Sequence, residues 1–197
     1  MSTERKVYFV FGGPGAGKGT LCTRLAQEMG LAHVCVGDLL RAAIERSDEF
    51  EAREQVQRAM KEGKLAPVGA IRTVLEKALQ TQSVVLLDGF PRSLEQMSMF
   101  EEFFGDVECG LLFSCSSETM ERRVRKRHLT CKRIDDDIET VRKRFRQYEE
   151  ETVPCINKLK EKNKLVEFDC EGDLDEIYEG IKNQFQALLN KVKTDRE

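Results

Sequence analysis

A junction near the N-terminus narrows what this chain can fold into more than anything else in it. The five apolar residues Val7-Tyr8-Phe9-Val10-Phe11 run straight into Gly12-Gly13-Pro14-Gly15-Ala16-Gly17-Lys18-Gly19-Thr20. A short β-rich apolar run reads as a buried strand. Leu21, Leu25 and Met29 come next at i, i+4, i+8, the spacing of a helix face, and Gly30 supplies its stop. Between strand and helix stands Gly12-x4-Gly17-Lys18, the spacing of a phosphate-binding loop. Glycines let the backbone curl so that successive N–H groups point inward. Those groups, with the helix N-terminus behind them, hold phosphate oxygens, and Lys18 adds a full charge.

The rest of the chain repeats the alternation. His33-Val34-Cys35-Val36 predicts a second strand, and Gly37-Asp38 opens a helix carrying Leu39, Leu40, Ala43 and Ile44. Amphipathic helices are predicted over 48–62 and 68–81, with Gly63 and Pro67 between them. Val84–Leu87, Leu111–Phe113 and Leu165–Phe168 read as three more strands, and a last helix is predicted near 173–192. Apolar strands alternating with helices imply an α/β fold, a five-stranded parallel sheet sandwiched between helices. At 197 residues the chain fits roughly one such domain. Ligands of this class bind beyond the carboxyl ends of the strands. That singles out 12–20, 37–41 and 88–92, each of which comes directly after a predicted strand.

A membrane span needs about 20 apolar residues, and no run here exceeds the five of Val7–Phe11. The first six residues lack the pattern of a signal or transit peptide. The seven cysteines are scattered, odd in number and without a Cys-x-x-Cys pair. They read as reduced thiols of a reducing compartment, taken as cytoplasmic. His128 and Cys131 alone do not make a zinc site.

The hydroxyl expected next to the loop lysine is displaced by one position: Gly19 stands after Lys18, and Thr20 after that. A metal accompanying the nucleotide must then rely on phosphates, water and other acids. Asp88, at the end of Val84–Leu87, is the best of these and would act through water. The base-reading Asn-Lys-x-Asp of GTP switches is missing, since Asn157-Lys158-Leu159-Lys160 and Asn163-Lys164-Leu165-Val166 both lack the final acid. The chain offers arginines instead.

Gly12–Thr20, Gly37-Asp38-Leu39-Leu40-Arg41, Asp88-Gly89-Phe90-Pro91-Arg92 and Arg133-Ile134-Asp135-Asp136 occur in that order. Together they resemble the nucleoside monophosphate kinases, the group of adenylate kinase and UMP/CMP kinase, from about residue 6 to about 188. The resemblance implies a core of 1–34, 65–125 and 137–197, a helical acceptor-binding flap of 35–64 and a short lid of 126–136. It implies transfer of the γ-phosphoryl group of ATP, with Mg²⁺, to a nucleoside monophosphate by a monomer. Gly13, Gly15, Ala16, Gly17, Lys18, Gly19, Thr20, Arg123 and Arg127 would bind ATP, Arg123 lying against the base. Val36, Arg41, Ala66, Gly89, Arg92, Gln96, Arg133 and Arg144 would bind the acceptor. Lys18, Arg92, Arg127, Arg133 and Arg144 would form the catalytic set, with Asp135 and Asp136 orienting the lid arginines. Arginine suits this because its planar fork grips two phosphate oxygens and keeps its charge. Arg123 and Arg127 independently share a helix face at i, i+4.

Gln96 favours AMP, since family members with glutamine there read adenine; UMP or CMP is the alternative, and Val36 decides neither way. Two further readings compete. Residues 122–133 hold seven basic side chains and no acid, as a nucleic-acid patch would. A net charge of -3 and the absence of any nucleic-acid-binding motif weigh against that. A nucleotide sensor without turnover is the second, and the number of arginines weighs against it. The lid departs from the family pattern: Arg127-His128-Leu129-Thr130-Cys131-Lys132-Arg133 lacks both customary glycines. Pro67 matches the flap exit, but Gly69 stands where an acid is frequent.

Overall fold

The computed structural model describes residues 5–46, 50–130 and 138–194. Five parallel strands form one sheet: β1 (Lys6–Phe11), β2 (Ala32–Cys35), β3 (Val84–Asp88), β4 (Cys109–Ser114) and β5 (Leu165–Asp169), in the order β2-β3-β1-β4-β5. The expected α/β sandwich is therefore present, and β1 lies at its centre. The chain turns to one side of β1 for β2 and β3 and to the other for β4 and β5. The loop after β1 thus emerges where the connections part, the place where such sheets bind ligands.

Strand alternation divides the core in two. Val7, Phe9 and Phe11 face one helix layer, while Tyr8 and Val10 face the other. Both faces are covered, which is why the strand is an unbroken apolar run. On the first face the rings of Phe9, Phe90 and Phe100 cluster, with centroids 4.9–5.8 Å apart. Edge-on contacts of this kind add to the area that such rings bury.

The helices are α1 (Lys18–Met29), α2 (Val36–Arg46), α3 (Arg53–Glu62), α4 (Val68–Ala78), α5 (Leu94–Phe104), α6 (Ser117–Thr130), α7 (Ile138–Gln147), α8 (Val153–Glu161) and α9 (Leu174–Thr194). A π-helical turn, Tyr148–Thr152, joins α7 to α8. Gly30 ends α1 in the left-handed region at φ 66°, its N–H donating to Ala26 O. Three expectations shift in detail. Val36 opens α2 instead of closing β2, α3 begins at Arg53 instead of 48, and α4 stops at Ala78. Local apolar content cannot tell a strand's last residue from a helix's first.

Candidate active site

The three sequence segments meet because three strands end level. Val10 pairs with Asp88, and Asp88 with Cys35. The loop after β1, the start of α2 and Gly89 after β3 therefore emerge side by side, bordering a cavity of 510 Å³.

On one side is the glycine loop. Gly12, Gly15 and Gly17 hold φ values of 146°, 87° and 90°. At Gly15 an added Cβ would lie 2.3 Å from the Met120 carbonyl oxygen, so glycine is required for the curl as well as the packing. Gly15, Gly17, Lys18, Gly19 and Thr20 border the cavity, while Gly13 and Ala16 are buried behind it. Lys18 Nζ donates to the carbonyls of Gly12 (2.6 Å) and Gly13 (3.0 Å). Burial holds its pKa down at about 8, Arg92 and Arg144 push it the same way, and Asp88 pulls against them.

Asp88 is 4% exposed. Its Oδ2 meets His33 Nε2 at 3.1 Å, and His33 Nδ1 meets Thr23 Oγ1 at 3.2 Å. A Cβ on Gly19 would lie 3.8 Å from the same oxygen, so the carboxylate stands beside the residue after Lys18. Among the described residues no three His, Cys, Asp or Glu side chains gather tightly enough to hold an ion alone. A lone buried carboxylate beside the phosphate loop fits a hydrated Mg²⁺ carried mainly by phosphates.

The opposite side is arginine-rich. Arg41 Nη2 donates to Asp38 Oδ1 at 2.5 Å, and Arg92 Nε to Gly89 O at 2.8 Å. Lys18, Arg92 and Arg144 border both the main cavity and a 50 Å³ recess that Pro14 and Pro91 also line. Three cations from three distant segments thus line the same two cavities. Arg127 also borders the main cavity. Arg123 stands apart, beside Gly17, with Nη2 donating to Cys170 O at 2.9 Å. Arg133, Asp135 and Asp136 lie outside the described residues, as do Cys131 and Lys132 of the expected lid.

Gln96 closes the floor and is 2% exposed. It sits in the first turn of α5, where Ser93 caps the helix by accepting the Gln96 N–H. Its Oε1 accepts the Arg92 backbone N–H at 2.8 Å. Val36, Ala66 and Gly89 also line the cavity. Two residues of the site are not evident from the sequence. His33 stands behind Asp88, and Gln147 borders the cavity from the end of α7. Strand alternation around His33 holds a clue, but nothing local marks Gln147.

The remaining reactive groups are quiet. Cys22, Cys109, Cys155 and Cys170 are buried free thiols, and Cys35 and Cys115 are half-buried ones. Burial pushes Cys109 and Cys170 up to about 12, and Cys35 and Cys155 up to about 11. No helix among the described residues is long and apolar enough to cross a membrane.

Comparison with known proteins agrees with this geometry. A family model described as Adenylate kinase matches residues 10–164. Adenylate kinase 1 of Schistosoma mansoni is 36% identical over 189 residues, covering 94% of this chain and 95% of the relative. The UMP-CMP kinase of Lentinula edodes is 35% identical over 198 residues, covering 93% and 87%. Adenylate kinase isoenzyme 1 of Gallus gallus is 35% identical over 196 residues, covering 95% and 100%. With the loop, the level strand ends and the converging cations in place, matches of this extent make the chain a member of the adenylate kinase family.

Proposed function

We propose that this chain transfers the γ-phosphoryl group of ATP reversibly to a nucleoside monophosphate, and that AMP is its preferred acceptor. Joining two polyanions leaves the protein little covalent chemistry; alignment and charge neutralisation dominate. The glycine loop and Lys18 hold the donor phosphates, Arg41 and Arg92 grip the acceptor phosphate, and Arg127 and Arg144 close on the group in flight. Arg133 joins them from the lid. The acceptor is already an oxyanion, so no general base is needed. Mg²⁺, bound with ATP, would supply charge neutralisation on the phosphates, and Asp88 would hold it through water. Residues 35–64 serve as the acceptor flap and 126–136 as the lid. The reading includes a monomer in a reducing compartment.

The hydrogen bond from Arg92 N–H to Gln96 Oε1 supports a base with an amine over uracil, and the register of Gln96 in the family motif supports adenine among those bases. Rotating the carboxamide would set two donors against each other, so Nε2 is held as the donor toward the cavity. A donor in that position suits an unprotonated ring nitrogen with an amine beside it, as in adenine. The remaining lone pair of Oε1 suits the amine. Cytosine presents the same pair of groups and uracil the reverse. UMP-CMP kinases match the chain as closely as adenylate kinases do, so CMP is the second reading.

Initial rates with ATP–Mg²⁺ and AMP, CMP or UMP test the assignment. AMP should give the highest kcat/KM and UMP the lowest. A highest value for either pyrimidine nucleotide, CMP or UMP, refutes the acceptor assignment. A Lys18→Ala variant as fast as wild type refutes the enzyme.

A further inference from the structure

Gln147 is the last residue of α7 and borders the same cavity as Arg144, three residues earlier. Its carboxamide faces the segment that leaves α3. With Nε2 toward Gly63, it donates to the Gly63 carbonyl at 3.2 Å, and Oε1 accepts the Leu65 N–H at 3.2 Å. The opposite orientation makes one long bond, 3.4 Å to Glu151 Oε1. Two bonds against one long one decide for the bridge.

The approach of α7 to this segment is close along its length. Gly63 caps α3 at φ 69°, and a Cβ there would lie 3.3 Å from Thr140 Cγ2 and from Lys143 Cβ. Thr140 Oγ1 also donates to Lys61 O at 3.5 Å. Thr140, Lys143 and Gln147 lie at i, i+3 and i+7, one stripe of the helix. Just beyond, the π-helical turn ends in Thr152, whose Oγ1 donates to Arg92 O at 3.1 Å. One continuous piece of chain therefore touches the flap exit, carries Arg144 and holds the backbone of Arg92. An inserted π turn changes the phase of the helix beyond it; Gln147 borders both the main cavity and the recess, and Thr152 borders the recess.

We propose that Gln147 is a positioning residue that latches the flap exit at Gly63–Leu65 to the helix bearing Arg144, so that seating the acceptor and aligning the phosphate clamp are one event. The latch rests on the reading that the acceptor binds between the α2–α3 segment and the sheet. Its bonds join protein to protein, Gln147 to Gly63 and Leu65, so amide exchange tests the latch apart from turnover and the two ideas can fail separately.

Gln147→Ala is the variant, with the exposed neighbour change Arg146→Ala as control. Amide hydrogen exchange is read first, on nucleotide-free protein. Losing one hydrogen bond of ordinary strength corresponds to a roughly two- to tenfold change in an opening equilibrium. The Leu65 amide should exchange faster by that factor in Gln147→Ala, with β1 amides unchanged and Arg146→Ala like wild type. Unchanged Leu65 exchange overturns the latch. Faster exchange throughout β1 also overturns it, because the side chain then stabilises the fold at large. Steady-state rates come second, with the acceptor that wild type uses best. The acceptor KM should rise several-fold while the ATP KM stays within about twofold; equal rises in both would refute the coupling. If wild type phosphorylates no nucleoside monophosphate, the functional reading fails while the exchange result still decides the latch.

Discussion

Lys18 illustrates how much a single side chain's burial sets its chemistry. Its ammonium is drawn into the loop with two carbonyl partners, and burial lowers its pKa to about 8 from an ordinary 10.5. Between those values the unfolded chain holds more protons than the folded one. Lys18 therefore adds stability as pH rises through that window. Phosphate binding has the opposite sign, because it needs the ammonium and the free protein must take up a proton above about 8. ATP affinity should accordingly weaken above pH 8, by up to about tenfold per pH unit. Fluorescence titration of an ATP analogue from pH 7 to 9.5 measures this, and a flat profile would contradict it. The role proposed for Lys18 is legible in the sequence because five glycines and the lysine lie within eight residues, Gly12 to Gly19. The hydrogen bond that orients Gln96 is not legible there. Its acceptor is visible four positions after Arg92, but the bond depends on how the chain turns at Gly89–Ser93.

At the scale of elements, packing decides what propensity leaves open. The run Leu111-Leu112-Phe113 marks β4, yet the strand begins at Cys109 and includes Gly110. A Cβ on Gly110 would sit 2.8 Å from Leu159 Cδ1, 2.9 Å from Phe11 Cε2 and 3.1 Å from Leu165 Cδ1. The glycine marks where α8 presses on the sheet. Gly110→Ala should lower stability by about 1–3 kcal/mol through overpacking, with an unchanged denaturant m-value. Urea denaturation reads both, and an unshifted midpoint would show that the leucines move aside at no cost. The π-helical turn is the contrasting element. Tyr148-Glu149-Glu150-Glu151-Thr152 is charged and helix-compatible, so the sequence suggests no break there. The extra residue per turn serves contacts with Gly63–Leu65 and Arg92, and those partners lie 60 or more positions away.

For the molecule as a whole, the layout predicts two nucleotides held at once across one ring of cations. A dinucleotide carrying adenosine at both ends of a polyphosphate should therefore stabilise the fold more than either mononucleotide. Saturation at about a hundred times Kd contributes about 2.7 kcal/mol, or roughly 5–11 °C in Tm for a chain of this size. Thermal melts with each ligand at matched concentration test it. A shift no larger than that with ATP alone would mean a single site.

Short-range order is already written along the chain. Steric freedom at glycine, two-residue alternation in strands and 3.6-residue spacing in helices act between near neighbours, so the nucleotide loop, the α/β alternation and most strands are readable from the residues alone. Folding alone brings Lys18, Asp88, Arg92 and Arg144 to one cavity, sets His33 behind Asp88, and lays Gln147 across Gly63 and Leu65. Such contacts join segments tens of residues apart. Their partners are chosen by the level ends of parallel strands and the stacking of helices on them, and no spacing within one segment records that choice.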